Sequence, residues 1–164
     1  MKKILIISTG GTFNKIYHPI HGTLEIDEDS QALKNIAEKW LCDFDIVNII
    51  GKDSLEMTTQ DRIELLSVIH QSEYRHILIV HGTDTIDITA EYLADAEMEK
   101  SIILTGAMVP YHIDPTEATA NFAAAYGYLQ ALEKKGVFIV MNGAFGYYDR
   151  IEKNRTKGKF FLKS

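Results

Sequence analysis

The sequence is poor in cysteine and in proline. Cys42 is the only cysteine among the 164 residues, which excludes an intramolecular disulfide and a zinc site built from cysteine pairs. Only three prolines accompany eleven glycines, and 46% of the side chains are hydrophobic, a composition that excludes intrinsic disorder. A chain of this length buries roughly 70% of its unfolded surface, enough for a core without disulfides. The sequence therefore predicts one globular domain over residues 1–164, with Cys42 as a buried, unreactive thiol.

Positive charge and long apolar runs are also scarce. Seventeen Lys and Arg against 23 Asp and Glu leave a net charge of −6, which disfavours non-specific binding to nucleic acid or anionic lipid. The apolar run Ile4–Ile7 follows two lysines and stops at Ser8, too early for a signal peptide or a membrane span. We expect a buried strand there, no nucleic-acid or membrane partner, and a cytoplasmic location.

Short apolar runs alternate with stretches of helical periodicity along the chain. The runs predict strands over Lys3–Ser8, Phe44–Ile50, Ile77–His81, Ile102–Thr105 and Val137–Met141. The periodic stretches predict helices over Ser30–Leu41, Thr59–Ser72, Thr85–Ala96 and Thr116–Leu132. This alternation is typical of a three-layer α/β fold of the Rossmann or flavodoxin type, a mostly parallel sheet with helices on both faces.

Two helix starts carry capping residues. Thr58 precedes Asp61 by three positions, and Asp114 stands before Pro115 with Glu117 at the third helical position. By contrast, residues 13–29 lack periodicity and predict a long, mobile loop. Residues 142–164 predict a basic tail whose charges are solvated and whose two adjacent phenylalanines pack on a neighbour.

The histidines give no sequence signal for a metal. His18 and His21 are three residues apart in the predicted loop, but no third ligand is apparent, so we expect solvated histidines and no metal site. His81 ends a predicted strand, where its ring is expected to pack or to form hydrogen bonds.

Glycines and hydroxyl groups recur directly after the predicted strands. The turns are residues 9–12 (TGGT), 51–58 (GKDSLEMT), 81–85 (HGTDT) and 105–108 (TGAM). Ligands of open parallel sheets bind beyond the carboxyl ends of the strands, so these turns predict a small-molecule site. None matches a dinucleotide or phosphate-loop motif.

Two interpretations of the third turn remain open at this point. Asp84 or Thr85 is a candidate cap for the next helix. Alternatively, a threonine hydroxyl needs an activating partner to act as a nucleophile, and Thr83 and Asp84 with a distant lysine supply such a chain. Spacing alone does not identify that lysine.

Three of these turns resemble a known family. Thr9–Thr12, His81–Thr85 and Thr105–Pro110 are similar, in order and in position after successive strands, to the signature turns of the bacterial-type L-asparaginases. The resemblance extends over essentially the whole chain, because Asp53–Met57 resembles the family's substrate-binding turn. Asn121 matches a helical asparagine of the family, and Lys153 falls on its catalytic lysine.

The resemblance implies the N-terminal-domain fold of that family and a cofactor-free hydrolysis of a side-chain amide to a carboxylate and ammonia. It implies the catalytic roles residue by residue: Thr12 as the nucleophile, beside Thr83, Asp84 and Lys153. It further implies that Ser54 and Glu56 hold the α-carboxylate and α-amino group of the substrate. The remaining residues that it assigns to the substrate site are Gly11, Gly82 and Ala107. The substrate is then L-asparagine or a similar amide.

The chain departs from the family pattern at two places. Thr23 aligns with the family's loop tyrosine, and Tyr17 is nearby but displaced. The family's smaller second domain would follow the equivalent of Ser164, so these residues match only the first domain, either as a fragment of a longer protein or as a single-domain relative. These departures leave two alternatives open: a non-catalytic amino-acid-binding relative, and the amidase part of a tRNA-dependent amidotransferase.

Small residues in the last predicted helix and the apolar tail further predict a homodimer or a larger homo-oligomer.

Overall fold

A six-stranded sheet forms the centre of the structure, a computed structural model that describes residues 1–164. Its strands are β1 (Ile4–Gly10), β4 (Asp45–Lys52), β5 (His76–Val80), β6 (Ser101–Thr105), β7 (Gly136–Met141) and β8 (Ala144–Tyr147). Their spatial order is β4-β1-β5-β6-β7-β8, and only the edge strand β8 runs antiparallel to its neighbour. The predicted α/β class is therefore confirmed.

Four helices cover the two faces of the sheet. They are α1 (Gln31–Trp40), α2 (Thr59–Gln71), α3 (Ile86–Asp95) and α4 (Pro115–Ala131), each within two residues of its predicted bounds. Side chains alternate across each strand: Ile4 and Ile6 pack in one core with α1 and α4, and Leu5 and Ile7 pack in the other with α2 and α3. Because both faces of the sheet are covered at its centre, the inner strands β5, β6 and β7 are apolar along most of their length.

Both predicted helix caps are present. Thr58 and Asp61 form a reciprocal capping box at α2, and the Asp114 carboxylate accepts from the Thr116 N–H at α4. Glu117 does not return to its own helix cap, because its carboxylate accepts from Met108 and Val109 in the preceding turn.

Two parts of the chain differ from the sequence expectation. The predicted mobile loop is a 3₁₀ turn at Thr12–Asn14 followed by a hairpin of β2 (Lys15–His18) and β3 (Thr23–Ile26). The predicted basic tail contains a second hairpin, β9 (Ile151–Asn154) with β10 (Lys159–Leu162). The loop prediction was wrong, and the tail prediction missed the hairpin, although Arg155, Lys157, Lys159 and Lys163 are exposed as expected. Short strands paired mainly to each other carry little apolar periodicity.

Some single-residue expectations also change. Phe160 is buried in the core of its own chain, whereas the adjacent Phe161 is 38% exposed. Cys42 is half-buried, with Sγ 3.5 Å from the carbonyl oxygen of Trp40, so the prediction of a buried thiol was wrong. The structure contains no helix long and apolar enough to span a bilayer.

The fold creates a crevice at the carboxyl end of the sheet. The chain leaves β1 towards β4 on one side and returns to β5 on the other, and α1 and α3 lie on opposite faces. Such a reversal of strand order opens a ligand crevice between the two central strands. Thr12 and Thr83 follow these two strands, β1 and β5.

Candidate active site

The turns after β1 and β5 touch through their backbones. A Cβ built on Gly11 would lie 2.6 Å from the backbone nitrogen of Gly82, and one on Gly82 would lie 2.6 Å from Cβ of Ser54. Gly11 also has a φ of 74°, which side chains other than glycine rarely adopt. The glycines therefore allow three turns to pack directly against one another.

Ser54 joins its turn to the start of α3. Its buried hydroxyl accepts from the Thr85 N–H at 3.2 Å, and its carbonyl accepts from the Thr85 hydroxyl at 2.9 Å. Thr85 is the N-cap residue of α3 but makes no side-chain cap bond; its hydroxyl instead donates to the Ser54 carbonyl and accepts from Arg62. These bonds fix the predicted substrate turn relative to Thr83.

Asp53 precedes this turn and is paired with a lysine. Burial acts to raise the pKa of Asp53, but the Lys15 ammonium at 2.7 Å and backbone N–H groups outweigh it and lower the pKa. The carboxylate is therefore charged at neutral pH, and it ties the start of the β2–β3 hairpin to the Ser54 turn.

Lys153 connects the two residues that follow β5. Its Nζ donates to the Thr83 hydroxyl at 2.9 Å and to the Asp84 carboxylate at 2.8 Å, and its side chain is only 11% exposed. Asp84 therefore binds a lysine and does not cap α3. Because the ammonium is largely removed from water, its charge acts strongly on both partners.

Arg155 provides a second cation for the same carboxylate. One guanidinium nitrogen lies 3.1 Å from Asp84 Oδ1, and another donates to the Asp84 carbonyl at 2.8 Å. Arg155 is more exposed than Lys153, so this contact is more strongly screened.

A chain of hydrogen bonds holds Lys153 in position. Lys153 pairs with Phe160 across the β9–β10 hairpin, and the Phe160 N–H donates to the Asn142 side chain at 3.1 Å. The Asn142 N–H donates to Asn121, whose amide donates to the Gly106 carbonyl at 2.9 Å. The buried Asn121 thereby links the Lys153 hairpin to the turn after β6.

A buried polar network lies beneath the Thr83 turn. His81 is fully buried, and its ring contacts the Gly82 carbonyl at 2.7 Å and the Thr89 hydroxyl at 2.8 Å, as expected for a structural histidine. Burial lowers the pKa of His81 to about 4, so the ring is neutral at physiological pH. Arg62, also buried, donates to Thr89 and to Thr85.

The other predicted site residues lie in different environments. Thr12 is half-buried at the start of the 3₁₀ turn, and Glu56 is exposed. Ala107 is fully buried in the core, so only its backbone is a candidate for substrate contact. The Gly11 N–H is already bonded to the Lys52 carbonyl at 3.0 Å, which removes it as a donor to substrate.

Neither candidate for the family's loop tyrosine reaches this network. Tyr17 lies on β2 with 62% of its surface exposed, and its hydroxyl lies 4.0 Å from the position of a Cβ on Gly22 at the hairpin tip. Thr23 is exposed and donates to Glu25.

Sequence reasoning did not identify several residues of the network. Glu117 appeared only as a helix-start residue, and Arg155 only as part of a charged tail. Arg62 and Asn142 were not recognised. Only Arg155 had a signal in the sequence, since it lies two residues after the predicted catalytic lysine, Lys153.

Comparisons with known proteins agree with this architecture. The structure superposes on the thermostable L-asparaginase from Thermococcus kodakarensis with a TM-score of 0.85 at 21% identity, covering 98% of this chain and 51% of that one. For the probable cytoplasmic L-asparaginase from Campylobacter jejuni the TM-score is 0.77 at 24% identity, covering 100% of this chain and 59% of that one. At these identities the superpositions show a shared fold.

A curated relative matches in sequence over most of the chain. One subunit of the glutamyl-tRNA(Gln) amidotransferase of Methanococcus maripaludis is 29% identical over 160 residues, which are 89% of this chain and 36% of that protein. The chain thus spans between about a third and three fifths of the length of these three proteins. The family model described as "Asparaginase, N-terminal" matches residues 3–162, and the chain therefore belongs to the asparaginase family.

Proposed function

We propose that this chain is an asparaginase-type amidohydrolase that converts L-asparagine and water to L-aspartate and ammonia through Thr12. The observation that carries the proposal is the bridge from Lys153 Nζ to the Thr83 hydroxyl and the Asp84 carboxylate. Membership of the asparaginase family supports the same reaction class. A hydroxyl, a carboxylate and a sheltered ammonium group form a proton-transfer unit beside a threonine turn.

The first half of the proposed reaction forms an acyl-enzyme. Thr12 Oγ1 attacks the amide carbon, and the amide C–N bond breaks to release ammonia. The proton that Thr12 loses is the one that the leaving nitrogen gains, so Thr83 and Lys153 need only relay it. Water then hydrolyses the ester, releasing the carboxylate product and returning a proton to Thr12.

Substrate binding is assigned to groups in the turns at the carboxyl end of the sheet. The Ser54 hydroxyl uses a lone pair for Thr85, which leaves its proton for the α-carboxylate. Glu56, which is exposed, accepts from the α-amino group. The Thr83 N–H donates to no protein acceptor and is the proposed oxyanion donor, whereas the Gly11 N–H is occupied. A single such donor contributes about 3 kcal/mol in other acyl-transfer enzymes.

The test is ammonia release from L-asparagine by the purified chain and by Thr12→Ala. We expect the variant to lose on the order of 10³-fold or more in rate with little change in melting temperature. Thr156→Ala, which alters another loop threonine, is the matched control and keeps full activity. Full turnover by Thr12→Ala would eliminate the nucleophile assignment.

An amidase role within a tRNA-dependent amidotransferase is the second candidate. It is supported by the 29% identity to the methanogen protein. Under this proposal ammonia release from glutamine rises when a partner subunit and charged tRNA are added. The isolated chain with asparagine stays inactive.

A non-catalytic amino-acid-binding role is the third candidate, and the exposed positions of Tyr17 and Thr23 favour it. Binding of aspartate or asparagine by calorimetry, without ammonia release and without a response to a partner subunit, is its expected signature.

The proposed assembly is a homodimer or larger homo-oligomer in the cytoplasm. Apolar side chains at the β8 and β10 edge favour a partner surface, since Phe145 is 58% and Leu162 is 56% exposed. The similarity to a probable cytoplasmic asparaginase of Campylobacter jejuni supports the compartment. Light scattering showing a monomer at micromolar concentration would contradict the assembly.

A further inference from the structure

The tip of the β2–β3 hairpin gathers three side chains that bind metals in other proteins. Ligand atoms of His18, His21 and Glu25 all lie within 4.8 Å of one another. Glu25 is thus a third candidate ligand that the sequence did not make apparent. Glu25 was missed because it lies seven residues beyond His18, across a turn that the sequence did not reveal.

Strand register explains why these groups meet. His18 pairs with Thr23 and Ile16 pairs with Glu25, so His18 and Glu25 are diagonal neighbours on one face of the hairpin. Tyr17 and Leu24 occupy the opposite face. The cluster is thus produced by the pairing of two strands and not by a chance meeting of flexible loops.

The turn between the two strands places His21 over the same face of the hairpin. The Gly22 N–H donates to the His18 carbonyl at 2.8 Å, and Gly22 has a φ of 66° that closes the four-residue connection. His21 stacks on His18 with ring centroids 4.1 Å apart and planes at 16°. Its Nδ1 also contacts Glu25 Oε1, so His21 lies between the other two groups.

We propose that His18, His21 and Glu25 form a binding site for a divalent first-row transition ion such as Zn²⁺. Two imidazoles and one carboxylate form a common three-ligand set for Zn²⁺, with water as the fourth ligand. Mg²⁺ and Ca²⁺ are excluded as preferred occupants because they favour sets made only of oxygen. To point at one ion, the two stacked rings must rotate about their side-chain torsions; the His21 side chain is 59% exposed, so solvent and not packed protein surrounds most of it.

The proposed metal site can be tested separately from the proposed amidase reaction. None of its three residues belongs to the Lys153 network, and metal binding is measured without substrate. The proposal stands or falls separately from the assignment of Thr12.

The test is calorimetric titration of the full chain with ZnCl₂, carried out in a Cys42→Ser background to remove the thiol as a competing ligand. We expect one Zn²⁺ per chain. His18→Asn, His21→Asn and Glu25→Gln should each weaken binding at least about tenfold, a loss that even the removal of an outer-shell partner of a metal ligand can cause. Excess MgCl₂ or CaCl₂ should not displace the bound ion.

His112→Asn is the matched control, because His112 is an exposed histidine outside the hairpin. Its Zn²⁺ affinity should equal that of the parent chain. The NMR amide resonance of Gly22 reports whether each hairpin variant retains the turn. Glu25→Gln in addition preserves the shape of the side chain. Unchanged affinity in His21→Asn or Glu25→Gln, or no binding by the parent chain, would overturn the proposal.

Discussion

The turn after β1 and the hairpin that follows it are adjacent in sequence but are held by different forces. Gly11 packs backbone to backbone against Gly82, and a fully buried histidine lies beneath that contact. The hairpin is held mainly by its own four residue pairs, with Tyr17 62% exposed and Leu24 45% exposed. The nucleophile candidate Thr12 lies at the boundary between these regions.

This difference in packing predicts rigid turns after β1 and β5 and a more mobile β2–β3 hairpin. Interlocked turns do not shift without disturbing the core, so they suit groups that must be held within a fraction of an ångström. A hairpin with few buried contacts opens at low free-energy cost. The comparison therefore predicts large effects for changes at the interlocked turns and small effects on global stability for changes in the hairpin.

The largest effect in this comparison is expected for Asp84→Asn. The substitution keeps the shape but removes the charge that holds Lys153 and accepts from Arg155, so amidase activity should fall by roughly 10²- to 10⁴-fold. Steady-state ammonia release measures it, and thermal melting should show little change. Asp87→Asn, on an exposed neighbour in α3, is the control. An unchanged rate would remove Asp84 from the proposed reaction.

The second effect concerns the pH dependence of stability. The unfolded chain protonates His81 near its usual pKa of 6.5, whereas burial in the folded state lowers the pKa to about 4. The unfolded state therefore binds more protons between these values, so stability falls as pH decreases through this window. Between pH 6.5 and 5 the loss of unfolding free energy amounts to about 1.6 kcal/mol, because the unfolded histidine is only half protonated at the upper end of this window.

Denaturant unfolding at several pH values checks this expectation. His81→Gln should remove the contribution of His81 to the slope of unfolding free energy against pH. His76→Gln is the comparison variant, since burial lowers the pKa of His76 as well but the side chain is only half-buried. Equal slopes for the parent chain and His81→Gln would show that the ring does not control acid stability.

Gly82→Ala tests the contact between the turns. The added methyl group would lie 2.6 Å from Cβ and 2.7 Å from Oγ of Ser54, so the turns must separate. Forced overpacking costs roughly 1–3 kcal/mol of unfolding free energy. Gly127→Ala, in helix α4 with nothing within 4 Å, should instead stabilise by about 0.5–1 kcal/mol. A melting temperature that does not fall in Gly82→Ala would contradict the proposed interlocking.

The sequence predicts the interlocked turns after β1 and β5 better than it predicts the two small hairpins. The β1 and β5 turns are recognisable because glycines and hydroxyls there follow continuous apolar strands, and both strands were predicted to within two residues. The pairing of Lys153 with Thr83 and Asp84 required the family resemblance, since 69 residues separate Lys153 from Asp84. Nothing local in sequence reports such a contact.

The two small hairpins were not predictable in the same way. Their strands have four residues each, and most of those side chains are not buried, so the alternation that marks a half-buried strand is absent. Asn142 and Asn121 gain their roles only when β7, α4 and β10 meet. Packing that depends on three distant segments leaves no periodic trace in any one of them.

The smallest effect is expected for Tyr17→Ala in the β2–β3 hairpin. Removing this ring breaks its cross-strand contact with Leu24, which contributes roughly 0.2–1 kcal/mol to local pairing. Because the ring is mostly exposed, the global unfolding free energy should change by no more than about 0.5 kcal/mol. Amide hydrogen exchange should nevertheless become faster at β2 and β3 and stay unchanged in β5, because local opening draws only on hairpin contacts. Faster exchange in β5, or a global loss above about 1.5 kcal/mol, would mean that the hairpin unfolds together with the interlocked turns and that the two regions are one cooperative unit.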